Sequence, residues 1–163
     1  MEDLAARLGV TKSAIYHHFA GKDALLAEAL DHALSGLEAV AGQVRELDRP
    51  AVERLELLVR RSVEVLVERL PYVTLLVRVR GNSDVERDAL ARRRRIDRLV
   101  AELVGEAVSA GDLRPDVDPA VTARLLFGLV NSLTEWLRVD GRHEAPTLAA
   151  AVSTVAFDGL RVG

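Results

Sequence analysis

Cysteine is absent from the 163 residues of this chain, which therefore has no disulfide framework, thiolate nucleophile or cysteine metal site. Lysine is almost missing too: Lys12 and Lys22 stand among 22 basic residues, and the rest are arginine. No apolar run approaches the roughly 20 residues that span a bilayer, and no charged-then-apolar leader opens the chain. These absences point to a cytoplasmic protein with no membrane partner. There is no glycine-rich phosphate loop, nucleophile elbow or metal-spaced histidine set, so the reading is against an enzyme and expects no cofactor or metal.

What is present describes a globular protein, 49% hydrophobic and 29% charged. The formal charge of −3 is unevenly spread. In the first 22 residues Arg7, Lys12 and Lys22 outnumber Glu2 and Asp3, and no acid falls between Lys12 and Lys22. A small basic end on an acidic body suits a tip that meets a polyanion.

Periodicity is helical throughout, so the fold class is all-α. Leu4, Ala5 and Leu8 mark a short helix stopped by Gly9. Thr11 offers a cap for a second helix from about Lys12 to His18, and Ala20-Gly21 is expected to end it. A long segment follows from about Lys22 to Val44. Further helices are expected from Pro50 to about Leu70, and from Pro71 to about Arg80. The next should run from Asp84 to Ala110 behind a Ser83/Glu86 capping box, then from Pro119 to Arg138 or Val139, and from Pro146 to Leu160. That makes about eight helices.

The two short helices around Gly9-Val10-Thr11 have helix-turn-helix proportions. Ile15 and Phe19 share one face of the second, suited to a core, while Ser13, Tyr16 and His17 lie on another with Lys12 near its start. Such short polar groups suit base edges and phosphates in a major groove. Zinc binding by His17 and His18 is not expected, because adjacent helical side chains diverge by about 100°.

The residues say more than the spacing. Leu4-Ala5-Ala6-Arg7-Leu8-Gly9-Val10-Thr11-Lys12-Ser13-Ala14-Ile15-Tyr16-His17-His18-Phe19, with Lys22 and Leu25-Leu26 after it, resembles the DNA-binding segment of TetR-family transcriptional regulators. The resemblance implies a ligand-responsive repressor that binds near-palindromic operator DNA as a homodimer. By position, Lys12, Ser13 and His17 would face base edges. Thr11, Tyr16 and His18 would contact phosphate or orient the helix. Lys22, at the start of the next helix, would hold a phosphate with help from that helix's dipole.

The family's head has a helix before this pair, and here Met1 stands where the second helix should begin. The expectation is that residues 1–44 form a partial DNA-binding domain with its connecting helix, and that the chain as written binds operator poorly. Its apolar face of Leu4, Leu8, Ile15 and Phe19 would lack a partner. A late start, a shortened chain or a true variant would each produce this. The alternative function is a dimeric small-molecule-binding or interaction protein that does not bind DNA.

Residues 45–163 then form the effector-binding and dimerisation domain. The resemblance implies that the last two helices pair with their mates in a four-helix bundle. Val121, Leu125, Leu129, Leu133 and Trp136-Leu137 leave little of the first polar, as in a helix buried on two sides. The second offers Leu148, Ala151, Val152, Val155 and Ala156.

Four successive arginines, Arg92 to Arg95, span about 300° of a helix and cannot all reach water. Extending the stripe of Ile96, Leu99, Val100, Leu103 and Ala107 backwards lands on Arg92 and Arg93, whereas Arg94 and Arg95 lie toward the outside. Arg92 or Arg93 is thus placed either to border a cavity and hold an anionic ligand, or to pair with Glu86 or Asp88. Asn131 and Thr134 are polar positions on an otherwise apolar helix and are further candidates for the pocket. The stretch Phe127-Gly128-Leu129-Val130-Asn131, with Glu135-Trp136 and Asp140-Gly141, is similar to regulators of fatty-acid or steroid catabolism. That similarity implies an acyl-CoA effector.

Overall fold

The computed structural model describes residues 11–138 and 143–162. Among the described residues there are six helices: α1 (Lys12–Glu46), α2 (Ala51–Glu68), α3 (Leu70–Arg78), α4 (Asp84–Ser109), α5 (Pro119–Trp136) and α6 (Ala145–Leu160). The class is all-α, as expected. The predicted helix and turn over residues 4–10 lie outside the described residues.

One expected break is absent. Ala20-Gly21 does not end a helix, and α1 runs unbroken for 35 residues. A glycine inside a helix costs only about 1 kcal/mol relative to alanine, too little to stop a helix whose later turns are packed. Lys22 therefore sits mid-helix, and no helix N-terminus stands behind it.

The other boundaries follow local chemistry. Proline opens α5 at its first position, where the missing N–H is no loss, and Asp118 accepts hydrogen bonds from the Ala120 and Val121 amides at 2.9 and 3.1 Å. α5 stops at Trp136, a little short of the expected Arg138 or Val139. Gly81 (φ +91°) and Gly111 (φ +83°) take the left-handed conformation before α4 and after it.

Ser83 caps α4 by accepting from the Glu86 amide at 3.2 Å. The return half of the box differs from the expectation. The Glu86 carboxylate reaches past Ser83 and accepts from the amides of Arg80, Gly81 and Asn82 at 3.2, 2.8 and 2.9 Å. Those amides hold its carboxyl below the usual carboxylate range.

α2 is the hub and packs on α1, α4, α5 and α6. Its inward stripe of Leu55, Leu58, Val59, Val63 and Leu66 is buried, as are Leu30, Leu34 and Val44 of α1 and Phe157 of α6. The crossing of α1 over α2 is close at Gly36: a Cβ there would stand 2.9 Å from Val65 Cγ1 and 3.0 Å from the Arg69 guanidinium carbon. The Arg69 guanidinium in turn donates to the His32 carbonyl and, at 3.2 Å, to Ser35 Oγ, fastening the same crossing. No described helix is long and apolar enough to cross a membrane.

Candidate DNA-reading helix and effector cleft

The N-terminal part of α1 carries the candidate DNA contacts. Ser13 and His17, four residues apart, are both exposed and share a face, with exposed Thr11 just before the helix. Lys12, Tyr16 and His18 belong to the same helix, but their side chains lie outside what is described. Lys22 is exposed as well. Nine residues on from Ser13 along one continuous helix, it is turned about 180° from Ser13, at about 100° per residue. The structure thus brings Ser13 and His17 together and sets Lys22 apart from them.

The second candidate region lies between α4 and α5. One face of α4 presents Arg93, Arg94 and Arg98 to Arg124 of α5 across a cleft of about 520 Å³. Asn131 also lines it, and Ala123, Phe127 and Gly128 supply apolar lining. None of the four arginines makes a hydrogen bond or close ion pair among the described residues. Arg54, Arg92 and Arg114 each sit against a carboxylate. The one acid in the cleft, Asp97, is half-buried and unpaired within 4 Å. Burial pushes its carboxyl up, against the pull of Arg93 and Arg94.

A void of about 10 Å³ is lined by Leu58, Val59 and Ser62 of α2 with Val100, Leu126 and Val130. Phe127 lines both the arginine-rich cleft and this apolar space.

The four residues considered for ligand binding from sequence are therefore divided. Arg93 and Asn131 line the cleft. Arg92 does not: its side chain crosses to α1, where Nε and Nη2 grip Glu38 at 2.9 and 2.7 Å and Nη1 reaches Asp31 at 2.8 Å. It is paired, as one reading allowed, but its partners are 54 and 61 residues away rather than Glu86 or Asp88. Thr134 donates its hydroxyl to the Asn131 carbonyl at 2.7 Å, a bond internal to α5, and stays out of the cleft. Sequence reading missed Arg98 and Arg124; it placed Arg94 toward the outside, and Arg94 is exposed while also bordering the cleft. The available signal was spacing, since Arg94 and Arg98 are four apart on one face of α4.

The third feature is a face left open by α5 and α6. Val121, Leu125 and Trp136 on α5 and Val155 on α6 are 46%, 64%, 52% and 68% exposed. A cavity of about 240 Å³ opens beside Leu125 and Leu129, and Ala156 and Leu160 close its α6 side. Within one chain α5 is buried on one side only, through Ala123, Leu126, Val130 and Leu133.

Comparison with known proteins matches this arrangement in both parts. Residues 1–29 fit the profile of bacterial regulatory proteins of the tetR family, and residues 48–160 fit that of a tetracyclin repressor-like C-terminal domain. A TetR-family regulator of known structure from Streptomyces coelicolor is 43% identical with a TM-score of 0.78, over 99% of this chain and 82% of that one. The structure of AibR in complex with isovaleryl coenzyme A and operator DNA is 25% identical with a TM-score of 0.71, over 95% of this chain and 85% of that one. The transcriptional repressor KstR2 of Mycolicibacterium smegmatis is 23% identical, over 98% of this chain and 80% of its own length. With a reading helix at one end and a matching helical body covering most of its length, the chain belongs to the TetR family of bacterial transcriptional regulators.

Proposed function

We propose that the protein is a homodimeric transcriptional repressor whose affinity for operator DNA is set by an anionic effector, an acyl-CoA thioester, bound between α4 and α5. The observation that carries the effector assignment is the set of four arginines, Arg93, Arg94, Arg98 and Arg124, which make no hydrogen bond or close ion pair among the described residues and share the cleft with a single acid, Asp97. Guanidinium groups are forks for phosphate and carboxylate oxygens, and several converging on one cleft suit a polyanionic head. Phe127 and the void it also lines supply the apolar side such a ligand needs. That void has room for about one water molecule, so an acyl chain enters by displacing the Phe127 ring. AibR, with isovaleryl coenzyme A and operator DNA bound, offers a precedent on the same fold.

DNA is read by Lys12, Ser13 and His17, with Thr11, Tyr16, His18 and Lys22 on the phosphates. Residues 1–44 form a partial reading domain with its connecting helix, and residues 45–163 the effector-binding and dimerisation domain. The exposed apolar face of α5 and α6 is the dimer contact.

Selection from a randomised duplex pool tests this reading. The chain as written, with its partial head, should enrich a near-palindromic site weakly, bind it less well as salt rises, and change its affinity when a CoA thioester is added. Failure to enrich any sequence would contradict DNA recognition by this chain and favour a binding protein without it.

A further inference from the structure

We infer that Arg92 is the positioning residue that transmits the state of the effector cleft to the DNA-reading helix. The inference rests on the effector reading above and adds the residue through which that site acts.

Arg92 and Arg93 are consecutive on α4 and point to different elements. Arg93 opens into the cleft, whereas Arg92 is clamped on Glu38 and Asp31 of α1 by three hydrogen bonds of 2.7 to 2.9 Å. Its side chain is only 19% exposed, and the fork on Glu38 is bidentate, so the pair has a fixed geometry rather than a loose surface contact. The Arg92 hydrogen bond also holds the Glu38 carboxyl below its usual range, with Arg95 adding to the attraction.

The part of α1 that receives the clamp belongs to the same unbroken helix as Ser13 and His17. Twenty-five residues separate Glu38 from Ser13, about 38 Å at 1.5 Å per residue, so a tilt of about 5° moves Ser13 by roughly 3 Å. α4 also presents three of the four cleft arginines. An anion drawn between α4 and α5 therefore pulls on the helix that holds α1, and shifts of about 1–2 Å between packed helices are ordinary in such transitions. The second fastening of α1, Arg69 on His32 and Ser35, comes from the junction between α2 and α3 and provides a pivot near Gly36.

The chain has no cysteine, so spin labels can be placed freely. Asp23→Cys on α1 and Arg60→Cys on α2, both exposed sites, report α1 against the hub helix. Doubly labelled chain diluted into excess unlabelled chain gives the intramolecular distance whatever the oligomer. Without ligand, Arg92→Ala and Glu38→Gln should both broaden the distance distribution relative to the parent. With saturating isovaleryl-CoA or palmitoyl-CoA, the parent peak should move by about 1–2 Å and the variant peaks should not. Calorimetric affinity for the thioester should stay within about twofold, because Arg92 makes no contact in the cleft and its charge is screened over longer range. A broader distribution in a variant that keeps its helical circular dichroism separates lost positioning from lost folding.

Arg92→Ala and Glu38→Gln distributions identical to the parent would overturn the inference, as would a ligand shift that survives in both. Absence of binding heat in the parent would instead sink the effector reading, and the ligand-free comparison would still decide the clamp.

Discussion

Arg92 and Arg93, adjacent on α4, serve opposite sides of the protein: one is spent on Glu38 and Asp31 of α1, and the other faces an open cleft with no acid paired to it. A run of four arginines is usually a solvated surface. Here the helical rotation of about 100° per residue sorts them into a clamp and a ligand face.

The crossing of α1 and α2 leaves no room for a side chain at Gly36. A side chain at Gly36 meets Val65 and Arg69, whereas one at Gly42 meets nothing within 4 Å. Gly36→Val should destabilise the protein by about 1–3 kcal/mol, the usual cost of overpacking. Gly42→Ala should stabilise it by up to about 1 kcal/mol through helix propensity alone. Thermal melts followed by circular dichroism report both signs.

Acid stability should depend on Glu86. Its folded carboxyl titrates below the ordinary 4.5 because three amides donate to it. A depressed folded value adds stability above the unfolded value and loses it as pH falls through the folded one. The melting temperature should thus drop below about pH 4.5 partly through this group. In Glu86→Gln the difference between pH 7 and pH 3.5 should be smaller than in the parent, while the melt at pH 7 is lower.

How much of this was legible in the sequence varies with the distance over which each feature is decided. The Ser83 and Asp118 caps and the proline starts are local, and the residues announce them. Arg92 was legible as a residue turned away from water by the Ile96–Ala107 stripe, but its partners lie 54 and 61 residues upstream and no local pattern names them. Gly21 misled because a local breaker was weighed without the packing that holds α1 straight. Arg124 is one turn from Phe127 on α5, and it becomes a cleft residue only once α4 lies opposite.

Dimerisation should depend on the open face of α5 and α6. Leu125→Asp with Val155→Asp puts two carboxylates on its most exposed apolar positions. Sedimentation should then show a monomer with unchanged helix content, because neither side chain belongs to the chain's own core. An undiminished dimer would place the contact elsewhere.

In the reading helix, the two kinds of contact should separate by their salt dependence. His17→Ala should relax selectivity at one base position, at a cost of about 1–3 kcal/mol. Lys22→Ala, on the other side of α1, should weaken binding evenly across sequences and lower the slope of log affinity on log salt by about one. Anisotropy titrations at several salt concentrations on matched and mismatched duplexes distinguish the two.

The effector site stands on the arginines between α4 and α5. Isothermal titration of the parent chain and of Arg93→Ala/Arg98→Ala with isovaleryl-CoA and longer acyl-CoAs tests it most directly. The parent should give saturable heat and the variant an affinity at least about tenfold weaker, the loss of two charge-assisted contacts. No heat from any thioester, or equal affinity in both proteins, would contradict it.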